Sequence, residues 1–283
     1  MARSDWRRPA LESLKEGERR IKMTVSYDGS EYQGWQIQQN GTTIQQVLEE
    51  ALETMLGFHV DVIGSGRTDS KVHAIGQVCH FDLCSSRIPA KAFKPRLNAL
   101  LPPSIRIQDS CETDGTFHAR FTAMARTYRF FIKRTEDMTA FDYHRVWSIH
   151  DFPDKGLLDS YAKMIGGTHD FTTFCSSHDE CESKVRDIYE SYWRLEKDSF
   201  SCDMLTYTIT GNAFLYRMVR SLVGSMVQYA EGGRSPEDFQ KILLSRERSL
   251  SGRTASPWGL YLLRISYDPD EYQWFEEQAN ERD

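Results

Sequence analysis

The stretch "IKMTVSYDGS" (Ile21–Ser30) sets the architecture. Ile21, Met23, Val25 and Tyr27 alternate with Lys22, Thr24 and Ser26. A period of two turns one face to a core and the other to solvent, which is the pattern of a half-buried strand. Asp28-Gly29-Ser30 breaks it. The period then changes: Ile44, Val47, Leu48, Ala51, Leu52, Met55 and Leu56 form one continuous helical stripe. Thr43 with Gln46 predicts a capping box, and Gly57 a stop. His59–Ile63 reads as a second strand, Gly64–Gln77 as its exit loop and Gln77–Leu83 as a third strand.

Farther along, "LNALLPPSIRIQDS" is loop-like around Pro102–Pro103 and ends in a short strand. Thr127–Lys133 alternates, with Tyr128, Phe130 and Ile132 on one face and Arg129, Phe131 and Lys133 on the other. Leu157–Ile165 predicts a short helix, and Asp187–Leu195 with Met204–Thr210 an antiparallel pair. Asn212–Ala230 predicts a long helix stopped by Gly232-Gly233. Ser235 and Pro236 open another helix as N-cap and first residue. Trp258–Tyr267 is the last strand. Strands alternate irregularly with single helices at hairpin-like spacings, which favours α+β with antiparallel sheet over a doubly wound parallel sheet. The expected organisation is a polar N-terminal extension over residues 1–20, a first α+β domain over 21–112 and a second over 113–283, with the boundary near 108–118.

The chain has 283 residues, 40% apolar and 27% charged, and can bury a sizeable core without disulfide staples. No apolar run approaches the ~20 residues that span a bilayer. The N-terminal stretch lacks the apolar core of an export signal, so a cytoplasmic location with six free thiols is expected. A net charge of −6 argues against binding nucleic acid by bulk charge alone. A local basic field remains open, because His118–Arg134 carries five cations and no acid.

Candidate chemistry centres on "GSGRTDSKVHAIGQ" (Gly64–Gln77). It lacks both glycine-loop spacings that cradle nucleotide phosphates. Asp69 follows Arg67 by two residues, and a neighbouring guanidinium keeps a carboxylate ionised and nucleophilic. Residue types alone favour the plainer reading, an Asp turn beside an exposed arginine. "HDEC" (His178–Cys181) contains the H-x-E of zinc deaminases without their P-C-x-x-C half, so a polar surface loop is the better reading and no metal is expected. Arg220 sits at the edge of the apolar side of its predicted helix and Arg217 farther into the polar face. Tyr128 lies between Arg126 and Arg129, an interleaving that suits a base and its phosphates as well as it suits core packing.

Taken together, these stretches resemble the tRNA pseudouridine synthase A family. The resemblance runs in order through "YDGSEYQGWQIQ" (Tyr27–Gln38), "TTIQQVLEEAL" (Thr42–Leu52), "GRTDSKVHAIGQVCHF" (Gly66–Phe81), "FHARFTAMARTYRFFI" (Phe117–Ile132), "HDFTTF" (His169–Phe174), "GNAFLYRMVRSLVGSMVQYAEG" (Gly211–Gly232) and "TASPWGLYL" (Thr254–Leu262). It implies a homodimer of chains with two similar α+β domains, their mainly antiparallel sheets flanked by helices and joined around a basic cleft. It implies isomerisation of uridine to pseudouridine at positions 38, 39 and 40 of the tRNA anticodon arm on a flipped base, with no cofactor and no metal. Asp69 matches the catalytic aspartate, Tyr128 the active-site tyrosine and Arg220 the arginine that pairs with the aspartate. Arg67, Lys71, Arg120, Arg126, Arg129 and Arg217 are the expected RNA contacts. Ser70-Lys71 stands where the family usually has Ala-Gly, and a glycine there suits a left-handed backbone that lysine adopts at a cost. That departure keeps a second expectation in view, a non-catalytic tRNA-binding or tRNA-folding module.

Overall fold

In the structure, a computed structural model, residues 14–84 and 87–268 are described. The chain divides into two compact units, the first reaching Met124 and regaining Leu262–Tyr267, the second formed by Ala125–Tyr261. The division thus falls after Met124, beyond the 108–118 window that composition suggests, because the basic segment from Phe117 is tied into the first unit. There, Tyr267 donates its hydroxyl to the Ala119 carbonyl, and Met124 N–H donates to the Ser266 carbonyl.

The first unit runs β1 (Glu18–Tyr27), α1 (Ile44–Leu56), β2 (Ile63–Gly64), β3 (His73–Cys84), α2 (Phe93–Leu100) and β4 (Ile105–Thr113). β1 is an interior strand, antiparallel to β3 on one side and β4 on the other. It begins three residues before the alternation predicts. Of the expected 1–20 extension, residues 1–13 lie outside the described residues, and Glu18–Arg20 belong to the sheet. Arg20 is buried, pairs with Asp82 and donates to the carbonyls of Gly115 and Phe117, so a charged residue read as peripheral is a cross-strand tie. Ile21, Met23, Val25 and Tyr27 are the buried face, as their alternation requires.

α1 has the expected bounds. Thr43 accepts from Gln46 N–H, and Gly57 closes the helix at φ 81°. His59–Val62 does not form the expected strand. The N–H of Val62 is captured by the Glu49 carboxylate and its carbonyl by Gln45, so helix side chains replace a ladder. β3 starts at His73, four residues earlier than predicted, and carries one extra residue opposite β1 between Gln77 and Ala74.

The second unit contains β5 (Ala125–Arg134), β6 (Trp147–Ile149), α3 (Lys155–Ile165), β7 (Gly167–Asp170), β8 (Val185–Lys197), β9 (Asp203–Gly211), α4 (Met218–Glu231) and α5 (Pro236–Ser245). Its strand order β5-β9-β8-β7 is antiparallel throughout, with β6 alone parallel to β5. α3 packs on β8 and against α4 and α5. β10 (Leu260–Ser266) closes the described chain, and in the first unit it lies next to β3. Each unit is mainly antiparallel sheet flanked by helices, the expected α+β class.

α4 starts at Met218, six residues later than the apolar stripe suggests. Asn212–Arg217 is held out of the helix by side chains far away in sequence: Asn212 bonds Asp187 through both its backbone and its amide, and Tyr216 N–H donates to Asp179. Arg217 is therefore the residue before the helix, at φ 61°, and does not lie on a helical polar face. Lys133, on the face of β5 opposite Tyr128, is wholly buried between Asp142 and Asp198 at 2.8 Å each. All six cysteines are free.

Candidate active site

Asp69 stands half-buried on the loop between β2 and β3, with Arg67 exposed and Lys71 half-buried beside it. The residues around it are fixed by the segment that follows β1. On the N-terminal side, the Thr68 carbonyl accepts from Trp35 N–H at 3.2 Å, and its hydroxyl meets the Tyr27 phenol at 2.8 Å. On the C-terminal side, Lys71 N–H donates to the Tyr32 carbonyl, and Val72 N–H closes a turn on the Asp69 carbonyl. His73 accepts the Gly29 N–H on Nδ1.

Two glycines permit this approach. A Cβ on Gly29 would lie 2.1 Å from the Val72 carbonyl oxygen, and one on Gly34, at φ +84°, would lie 2.5 Å from that of Thr68. The sequence reading takes Asp28-Gly29-Ser30 only as a strand break and so misses the cradle. Its signal is present in "YDGSEYQGW", where glycines alternate with large aromatics, the composition of backbone segments that run in contact. Lys71 has φ 67°, the left-handed conformation that a glycine would supply.

In the second unit, Tyr128 lies on the buried face of β5, its ring edge-on to Phe214 with centroids 5.2 Å apart. Arg126, expected as an RNA contact, is 9% exposed and donates to the Asn212 carbonyl at 2.7 Å. It is a strut for the segment leading into α4. Arg129 pairs with Glu196 at 3.4 Å and lies over the Phe131 ring. Arg217 is exposed and stacks over Tyr216, with its guanidinium carbon 4.9 Å from the ring centroid. Arg220 is half-buried. Its Nε donates to the Ala255 carbonyl at 2.9 Å, while its own carbonyl accepts from Ala255 N–H at 3.0 Å. Residue 255 therefore orients both the backbone and the guanidinium of Arg220, which gives "TASPWG" a task that its sequence does not reveal. Arg120 is exposed in the first unit and lies over Phe121.

The "HDEC" loop is organised by one of its acids. The Asp179 side chain is 5% exposed, pairs with Lys184 at 2.7 Å and accepts the N–H groups of Tyr216 and Cys181. Burial raises its pKa, but the lysine and the two N–H donors outweigh that and bring it down to about 2. Among the described residues, no group of three or more His, Cys, Asp or Glu side chains could hold a metal ion, and no helix is long and apolar enough to cross a membrane.

Comparison with known sequences assigns the chain to a family. The profile described as tRNA pseudouridine synthase matches residues 23–122 and 161–268. The chain belongs to the tRNA pseudouridine synthase family. Members of this family are isomerases. The chain is 41% identical to the tRNA pseudouridine synthase A of Exiguobacterium sibiricum over 249 residues, covering 88% of this chain and 97% of that protein. It is 40% identical to the tRNA pseudouridine synthase A of Bacillus subtilis strain 168 over 251 residues, 88% of this chain and 99% of the other. With that of Caldicellulosiruptor saccharolyticus the identity is 37% over 249 residues, 88% and 100%. As a tRNA pseudouridine synthase, the chain carries an Asp69 loop cradled by the segment after β1 and an Arg220 oriented by Ala255.

Proposed function

We propose that this tRNA pseudouridine synthase converts uridine to pseudouridine at positions 38, 39 and 40 of the anticodon arm, with Asp69 as the nucleophile acting on a flipped base. The observation that carries the reading is the Asp69 loop. Its backbone is held on both sides of the aspartate: Trp35 N–H donates to the Thr68 carbonyl, Lys71 N–H to the Tyr32 carbonyl and Val72 N–H to the carbonyl of Asp69 itself. A preorganised carboxylate is what a covalent or ion-stabilising step at a sugar–base bond needs.

The reaction is an isomerisation, so its atoms balance without a redox partner. The N1–C1′ bond breaks, the uracil turns, a C5–C1′ bond forms, and the C5 proton leaves as N1 gains one. The target must leave the helical stack for its C5 and C1′ to be reached. Tyr128 stacks on the displaced uracil, and Arg220 is the cation that keeps Asp69 ionised. Arg67, Lys71, Arg120, Arg129 and Arg217 contact RNA phosphates, while Arg126 acts through the segment it braces. The enzyme works as a cytoplasmic homodimer.

The alternative, a non-catalytic tRNA-folding module, rests on Lys71 replacing glycine. Lys71 adopts the left-handed φ that a glycine would provide, so the substitution gives no reason to regard the loop as disabled. The test is tritium release from tRNA labelled at uracil C5. The intact chain is expected to release label from positions 38, 39 and 40, and Asp69→Ala to release none. Undiminished release by Asp69→Ala would overturn the proposal.

A further inference from the structure

We infer that Tyr27 is a positioning residue for the isomerisation, acting on Asp69 through Thr68. The inference rests on the reading of Asp69 as the nucleophile. Tyr27 is the last residue of β1, 4% exposed, with its ring against Trp35 at a centroid distance of 6.2 Å. Its phenol oxygen lies 2.8 Å from Thr68 Oγ1, and Thr68 is itself 6% exposed. The two hydroxyls satisfy each other away from solvent. Removing one leaves the other buried without that partner, and the local structure then shifts to find another.

The bond matters because of where its ends are fixed. β1 is hydrogen-bonded along both edges, to β3 and to β4, so Tyr27 projects from a strand held on both sides. The register between β1 and β3 slips by one residue just before Tyr27 pairs with Ala74, a local irregularity of the kind that re-aims a side chain. Thr68 immediately precedes Asp69 and is held at two atoms: the side-chain oxygen by Tyr27 and the carbonyl by Trp35 N–H. Backbone bonds alone would leave Thr68 free to rock about that single carbonyl. The phenol supplies the second anchor that sets the direction in which the chain enters Asp69. Reacting groups displaced by about 1 Å lose on the order of a hundredfold in rate, and supporting shells hold sites to roughly half that tolerance. Tyr27 is buried and outside the set of cations proposed for RNA, so its contribution falls on the chemical step and leaves tRNA binding alone.

Single-turnover conversion of an anticodon-arm tRNA by the full-length chain tests this, with tRNA affinity and thermal melting measured on the same preparations. Tyr27→Phe is expected to slow the step about tenfold or more while KM and tRNA Kd stay within about twofold. Thr68→Val is expected to do the same. The double variant should be no slower than the slower single one, because both remove one contact. Gly34→Ala presses on the Thr68 carbonyl with both hydroxyls intact, and should give the same rate-selective loss if the entry direction of the loop is what counts. Should Tyr27→Phe not fold, Thr68→Val and Gly34→Ala carry the test. A single-turnover rate within twofold of the parent in Tyr27→Phe overturns the inference, as do rate losses that multiply in the double variant or a raised KM at unchanged rate. Asp69→Asn separates the two readings. If it stays active, the nucleophile assignment falls. If it is inactive while Tyr27→Phe is unimpaired, only the positioning role falls.

Discussion

Lys71 carries the left-handed backbone of the Asp69 loop in one residue. A left-handed φ costs an L side chain about 1–2 kcal/mol, and glycine avoids that cost while adding about 0.5–1 kcal/mol of unfolded-state entropy. With φ at 67°, Lys71→Gly is therefore expected to stabilise the chain by roughly 0.5–1 kcal/mol, read from urea denaturation. The same change removes an ammonium beside the site and should weaken tRNA binding. Stability and affinity moving in opposite directions is the expected signature. Equal or lower stability in the glycine variant would mean that contacts of the lysine compensate the backbone. The sequence made this position legible only through a departure from a family pattern, since no local propensity predicts a left-handed lysine. Asp69 was weaker still on its own terms. Residue types favoured an ordinary turn, and what separates the site from a turn is the cradle of Tyr27, Tyr32 and Trp35, packed against it from some forty residues away.

Elements were legible where their signals are local. α1 is legible from end to end because its stripe, its Thr43 cap and its Gly57 stop all lie within the segment. α2 leaves little local signal because its supports are distant. Only Phe93 and Leu97 are buried, the Lys94 N–H is capped by Ser110, and Asn98 brackets both backbone groups of Ile107. Pro95 within the first turn, where its missing N–H costs little, disguised it further. α4 failed in the opposite sense, since Phe214 and Leu215 fit its stripe but Asn212 and Tyr216 are pinned to Asp187 and Asp179. That pin has a measurable acid dependence. Asp179 titrates at about 2 in the folded chain and near 3.9 when unfolded, so the depressed pKa contributes stability that is complete above about pH 4 and disappears as pH falls through 2. The contribution is about 2 kcal/mol. Asp179→Asn should be destabilised by about that amount at pH 7, and urea melts at pH 7, 4 and 2.5 should show the gap to the parent closing as pH falls. A gap independent of pH would assign the loss to packing alone.

At the scale of the molecule, a chain of net charge −6 is proposed to bind a polyanion, so the relevant charges have to be local. The acidic run from Asp268 onward lies almost wholly outside the described residues, while Arg67, Arg120 and Arg217 are exposed cations on short, tied segments. Cations that neutralise phosphates release counterions, and the salt dependence of binding counts them. Five contacts, Arg67, Lys71, Arg120, Arg129 and Arg217, imply that log Kobs falls against log salt with a slope of about −3.5 to −4.5. Affinity then drops roughly a hundredfold or more between 50 and 200 mM. Arg120→Gln or Arg217→Gln should each flatten the slope by about one and leave the melting temperature unchanged. Arg126 behaves differently if it is the strut its bond to Asn212 makes it. Arg126→Gln should keep the slope and lose on the order of 2 kcal/mol of stability, because a buried charged donor to a carbonyl is removed. Filter binding across a salt series, paired with urea melts of each variant, separates the two classes. A flat salt response in the parent chain would contradict phosphate recognition by these cations, and a flattened slope in Arg126→Gln would return that residue to the RNA-facing set.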